Sequence, residues 1–121
     1  MARISKEGTL KWARIVTTND EVPAMLQYKQ PSQAAISQFN RDRTREARNG
    51  QVDFLTIDVA FIDPLLVDCK QVEYEEEDGT ITQLTNQAPD WKSKIYDTWK
   101  QALALRFIVG EASLVEEQTK N

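Results

Sequence analysis

The chain has 121 residues, of which 28% are charged and 40% are hydrophobic, and its formal net charge is −4. This length fits a single domain over residues 1–121, which can bury roughly two-thirds of its unfolded surface. The acidic balance argues against nucleic acid as a partner, because phosphate contacts need a concentrated basic surface. The first ten residues contain no apolar signal core, and no apolar run approaches the roughly 18 residues of a membrane span.

The sequence contains no histidine. This absence removes Ser-His and Cys-His nucleophile pairs, histidine-ligated metals and the commonest general base. Lysine-based or two-carboxylate catalysis stays open, but no spacing points to either. The single cysteine, Cys69, excludes an intrachain disulfide and fits a reducing cytoplasm. We therefore expect an intracellular protein that is not an enzyme and that holds no metal or cofactor.

Two alternating segments near the N-terminus predict a β-hairpin. Residues 10–17 read LKWARIVT and residues 22–30 read VPAMLQYKQ, with the turn residues TNDE at 18–21 between them. The alternation predicts that Trp12 and Tyr28 lie on the packed side of this hairpin, where aromatic residues usually serve as core.

A helix is predicted after Pro31, where Ser32 can cap the segment SQAAISQFNRDRTREAR. Asn49 and Gly50 are expected to end it, since glycine is the natural residue beyond a helix end.

The second half of this predicted helix carries Arg41, Arg45 and Arg48 on one face. One interpretation is a basic stripe that binds an acidic partner or a phosphate backbone. The other is a solvated face on which Asp42 and Glu46 form weak local ion pairs. We favour the solvated face, and we keep Arg41 and Arg45 as candidate interface residues.

Residues 52–67 read VDFLTIDVAFIDPLLV and form the longest apolar run of the chain. A strand is possible over 52–63, but the length of the run favours a buried central helix that ends or kinks near Pro64. One narrow polar or small face of this helix would carry Asp53, Thr56, Ala60 and Asp63. Asp58 alone does not fit the pattern.

The acidic segment after this run contains Glu75 to Asp78 and then Gly79. Apolar residues on both sides of the Asp-Gly pair predict a second short hairpin near 70–84. A calcium-binding EF-hand is rejected: with Gly79 at loop position six, positions one and twelve are Tyr74 and Thr85, so both essential carboxylates are missing.

The clearest helical pattern begins at Pro89 and Asp90 and reads DWKSKIYDTWKQALALRFIVG. Apolar side chains recur every four residues at Trp91, Ile95, Trp99, Leu103 and Phe107. Such a stripe usually forms core, but its two tryptophans can exceed what a small hairpin covers. Gly110 interrupts the pattern, and a short terminal helix is expected beyond it. The predicted fold is therefore α+β and mainly helical, with the N-terminal hairpin packed on a bundle of about three helices.

The order of segments resembles that of the small tail assembly chaperones of long-tailed bacteriophages. Four stretches between about residues 20 and 117 carry this likeness: LQYKQPSQAAISQF, FLTIDVAFIDPLLVD, the polar loop before the last helix, and ALRFIVGEASLVEE. The resemblance implies a factor that binds tape-measure or tail-tube protein in the host cytoplasm and is absent from the finished tail.

An exposed apolar face of the last helix would then cover a sticky partner surface, and we expect it to carry Ile95, Trp99, Leu103 and Phe107. The same face is expected to drive self-association. Two other functions stay open: a structural tail or neck component, and an acidic inhibitor of a host defence complex in which Glu75 to Asp78 mimic phosphates.

Overall fold

The computed structural model describes residues 4–16 and 22–108, which adopt the predicted α+β fold. The strands are β1 (Leu10–Ile15), β2 (Ala24–Lys29), β3 (Leu66–Lys70), β4 (Glu73–Glu75) and β5 (Ile81–Gln83). The helices are α1 (Gln33–Arg48), α2 (Leu55–Ile62), α3 (Trp91–Lys94) and α4 (Asp97–Ala104). Short 3-10 turns follow α2 at Asp63–Leu65 and α4 at Leu105–Phe107.

The predicted N-terminal hairpin is confirmed and is extended to three antiparallel strands in the order β1-β2-β3. The register aligns Ala13 with Leu26 and Leu26 with Cys69, and all three side chains are buried on the face that packs on the helices. The second predicted hairpin is also confirmed as β4–β5, in which Gly79 has a φ of 87° at the turn.

Tyr28 is buried as predicted, but the prediction for Trp12 is wrong, since its side chain lies on the outer face of the sheet. Alternation shows which residues share a face but not which face is packed. In β1 the smaller side chains of Ala13 and Ile15 meet the helices, and Trp12 packs beneath the Lys70 ammonium, 4.3 Å from the ring centroid.

Helix α1 begins and ends where its capping residues predict. The Ser32 hydroxyl accepts a hydrogen bond of 3.0 Å from the Ala35 amide. After Asn49, Gly50 takes a φ of 86°, the left-handed conformation that favours glycine. Phe39 is the buried residue of this helix.

The central apolar run forms α2 and stops at Pro64, as predicted. Pro64 lies in the 3-10 turn, and the chain then leaves the turn as β3, which pairs with β2. The end of the run, Leu66 and Val67, is therefore strand, and this third strand was not predicted.

The single helix predicted from Pro89 onward is wrong, because the chain is extended at Ile95 and Tyr96 between α3 and α4. A repeat of four residues advances about 40° per step around a helix with 3.6 residues per turn, or about 160° from Trp91 to Phe107. One straight helix would thus spread the stripe over almost half of its circumference. The break allows Trp91, Ile95, Leu103 and Phe107 all to be buried.

One hydrophobic core joins the three-stranded sheet to the helices. Phe39 of this core stacks on the partly buried Phe61 with ring centroids 4.1 Å apart, and Phe107 meets Phe61 edge-on at 5.7 Å. No helix in residues 4–16 and 22–108 is long and apolar enough to cross a membrane. The predicted turn at 18–21 and the predicted terminal helix lie outside the described residues.

Candidate functional site

The apolar stripe predicted as an interface belongs mostly to the core of the chain. Ile95, Leu103 and Phe107 are buried against the sheet and α2. Trp99 is half-buried and packs edge-to-face on Tyr96, with ring centroids 5.1 Å apart. In this chain the stripe holds α3 and α4 in place, and its buried members offer no surface to a partner.

The two arginines predicted as interface residues lie on the exposed side of α1. Arg45 forms an ion pair of 3.2 Å with Asp42, and Arg41 donates to the Gln38 side-chain oxygen at 2.8 Å. These are the local contacts that a solvated helix face predicts, and exposed pairs of this kind contribute little stability.

A concave groove with a largely apolar lining lies between α1 and α2. Its volume is about 460 Å³, which lies in the range of sites that bury a ligand or side chains. Its walls are formed by Ala35, Gln38, Phe39, Asp42, Arg45, Glu46, Thr56, Ile57, Ala60 and Phe61. The interface candidate Arg45 is one of these residues, whereas Arg41 is not.

The floor and the rim of this groove differ in chemistry. The stacked rings of Phe39 and Phe61 form an apolar floor, and the small side chains of Ala35 and Ala60 leave the space above it open. The rim carries Arg45 with two carboxylates, Asp42 and Glu46. An apolar surface with a rim of mixed charge is typical of protein contacts.

A second, smaller depression of about 330 Å³ lies between α2 and the start of α4. Thr56 and Ala60 border both depressions. Both side chains are exposed, as predicted for the polar or small face of the central helix. A ridge of two small residues between two grooves lets a partner backbone approach α2 closely.

Asp58 lies on the side of α2 that faces away from Thr56 and Ala60, and it is 0% exposed. Its carboxylate accepts hydrogen bonds from the Arg43 guanidinium on α1 and, at 2.9 Å, from the Gln101 amide on α4. The Arg43 guanidinium also lies 4.4 Å from the Phe54 ring centroid. This pairing explains the one residue that did not fit the apolar pattern, because a carboxylate is buried only when charge and hydrogen bonds compensate it.

A second ion pair fixes the C-terminal end of α2. The buried Lys100 ammonium lies 2.8 Å from the Asp63 carboxylate, in an ion pair without the directionality of a good hydrogen bond. Lys92 donates to the Asp63 carbonyl oxygen at 2.8 Å. Partners on three helices therefore hold α2, so the groove walls are rigid elements and not loops.

Two ionisable groups outside these grooves have shifted pKa values, Cys69 and Asp78. Burial and, to a lesser degree, the neighbouring Asp68 carboxylate raise the pKa of Cys69 to about 11, which keeps the thiol protonated at neutral pH. In the acidic turn, hydrogen bonds from Thr80 lower the pKa of Asp78. Within the described parts of the chain no three Asp, Glu or Cys side chains are placed to hold a metal ion.

No protein family model matches this chain, and no curated protein or solved structure matches it either. The geometry of the grooves and the segment-order resemblance are thus the two grounds for a functional interpretation.

Proposed function

We propose that this protein is a non-enzymatic binding factor that takes up an apolar helix of a partner protein in the groove between α1 and α2. The proposed partners are tape-measure or tail-tube proteins, which the resemblance to tail assembly chaperones implies. The observation that carries the proposal is the apolar floor of Phe39 and Phe61 beneath the small side chain of Ala60.

The groove has the chemistry that recognition of an amphipathic helix requires. Such a helix inserts apolar anchors at spacings of three and four residues and keeps its polar side toward the rim. The Phe39–Phe61 floor would receive the anchors, and Arg45 and Glu46 on the rim would face the polar flanks. Thr56 and Ala60 would allow the partner helix to lie close to α2.

The charge of the chain suits a transient carrier in the host cytoplasm, the compartment that we propose. With a net charge of −4, the chain would help to keep the complex in solution while it covers an aggregation-prone segment. Such a carrier needs no catalytic step and no cofactor, and it has no stable place in the finished particle.

The test is co-expression with the tape-measure and tail-tube proteins of the same genome, followed by affinity purification. The wild-type chain should retain one of them, and Ala60→Glu should lose it because a carboxylate would occupy the apolar groove. The matched control is Ala102→Glu, an exposed alanine on α4 outside both grooves, which should bind as wild type does.

Two outcomes would overturn this function. Retention of the partner by Ala60→Glu would exclude the groove as the binding site. An abundant signal of the protein in purified virions, measured by mass spectrometry, would instead identify a structural tail component.

A second candidate function is inhibition of a host complex that binds phosphate groups. The observation that favours it is the exposed β4–β5 turn, where four consecutive carboxylates occupy residues 75–78. Joint replacement of Glu75, Glu76, Glu77 and Asp78 by neutral amides should abolish such inhibition. Under the groove proposal the same variant should still bind the tail protein.

A further inference from the structure

The two edges of the three-stranded sheet differ in whether another segment of the described chain covers them. The segment after β5 covers the β3 edge, where the Asn86 side-chain amide donates to the Val67 carbonyl oxygen at 3.2 Å and the Cys69 thiol to the Leu84 carbonyl oxygen at 3.5 Å. Within residues 4–16 and 22–108 no strand pairs with the outer edge of β1. An open edge is a template for another strand.

Three exposed apolar side chains lie along β1 and directly after it. Leu10 is 51% exposed, Trp12 is 37% exposed and Val16 is 78% exposed. Arg14 lies on the same outer face, opposite Met25 of β2. Sheet edges are normally protected by charge or by a covering segment, so three exposed apolar residues along one edge point to a partner strand.

The hydrogen bonds of the hairpin show which β1 backbone groups point away from β2. The Gln30 amide donates to the Thr9 carbonyl oxygen at 2.8 Å, and bonded residues alternate along an antiparallel strand. Residues 11, 13 and 15 therefore bond toward β2. The backbone groups of Leu10, Trp12 and Arg14 point outward and can bond to a second strand.

We propose that β1 pairs with β1 of a second copy of this chain, antiparallel and with the two-fold axis at Ala13. This register brings Trp12 of one copy opposite Arg14 of its partner and Leu10 opposite Val16. Lys11 faces Ile15 of the second copy, and Ala13 meets its own equivalent. Leu10, Trp12 and Val16 each gain a cross-strand neighbour, and no two like charges are directly opposed.

A second copy fits this edge because the register places a cation of each copy opposite an aromatic ring of the other. Each Trp12 ring lies beneath Lys70 of its own copy and would meet the Arg14 guanidinium of the second copy at the open edge, and two-fold symmetry repeats this cation–π contact. The outward amides of Trp12 and Arg14 would exchange hydrogen bonds with each other across the axis. The product is one continuous six-stranded sheet. Self-association thus uses the sheet edge and not the last helix, whose apolar side chains are mostly buried.

Light scattering on the purified full-length chain tests this arrangement without any partner protein. The wild type should show twice the chain mass of 13.9 kDa. Trp12→Arg would oppose two arginines at both symmetric positions, and it should raise the dimer dissociation constant by roughly tenfold or more. Leu105→Arg, at an exposed leucine on a different surface, is the control and should leave the mass unchanged.

A charge-swap variant tests the register itself. Trp12→Arg combined with Arg14→Glu places an arginine opposite a glutamate, and it should restore the dimer. A monomeric wild type at millimolar concentration, a dimeric Trp12→Arg variant, or a double variant that stays monomeric would each overturn the proposal. Circular dichroism confirms that each variant is folded, which is expected because both side chains lie on the outer face.

Discussion

The central segment at residues 52–67 and the last helical segment at 91–107 are both rich in apolar residues, but they differ in which side chains the structure exposes. The sequence predicts the first as scaffold and the second as an interface. In the structure, α2 turns Thr56 and Ala60 outward between two grooves, while Leu103 and Phe107 of the last segment are buried.

This difference shows what an apolar stripe can and cannot predict. A regular stripe predicts that one side of a helix is covered. Residues of the same chain can cover that side as well as a partner protein can. The concave surface instead arises where small residues stand beside large ones. Ala35 and Ala60 beside Phe39 and Phe61 produce such a surface here.

Asp58→Ala should have the largest effect on the central segment. It would leave the Arg43 guanidinium without its buried carboxylate, and loss of one partner of a buried pair typically costs about 3–5 kcal/mol. Urea unfolding measures the loss. Asp97→Ala, an exposed carboxylate on α4, is the control and should cost less than about 1 kcal/mol. Equal losses would show that the buried pair does not fix α2.

Leu103→Ala should destabilise the last segment by about 3 kcal/mol, because it removes a fully buried side chain next to α2. The matched control lies two residues further on. Leu105 is about half exposed, and Leu105→Ala should change the free energy of unfolding by less than about 1 kcal/mol. If the two variants unfold at the same urea concentration, the last segment is not core.

Trp99→Ala should cost about 2 kcal/mol, below the loss typical of a fully buried tryptophan, because the side chain is half-buried and loses an edge-to-face contact with Tyr96. Thermal and urea unfolding measure it. Near-unchanged stability together with lost partner binding would contradict this expectation and would identify Trp99 as an interface residue.

Much of the fold follows from local signals in the sequence. The Ser32 cap, Gly50 and Pro64 set the limits of α1 and α2, since each restricts the backbone at its own position. The Asp78-Gly79 pair likewise marks the turn of the second hairpin. These features depend on a few neighbouring residues.

The features that were missed depend on contacts between distant residues. Trp12 faces outward because the helices cover Ala13 and Ile15 on the other face of the strand. The helix breaks at Ile95 because the core receives that side chain. The groove between α1 and α2 requires the Phe39 and Phe61 rings to stack across 22 positions of sequence. The unusual Asp58 was a signal for the α2 network, but its partners Arg43 and Gln101 become apparent only in three dimensions.

The smallest change in the free energy of unfolding is expected for Ala60→Glu. This variant also tests the contrast between the central and the last segment most directly. Ala60 is exposed on α2, so the variant should change the free energy of unfolding by less than about 0.5 kcal/mol while it abolishes partner binding. The same substitution at Ala104 of α4, which is fully buried, should unfold the chain because it buries an unpaired charge. Urea unfolding measures both variants. Comparable destabilisation would show that position 60 is as buried as position 104, so that the groove is not an open surface.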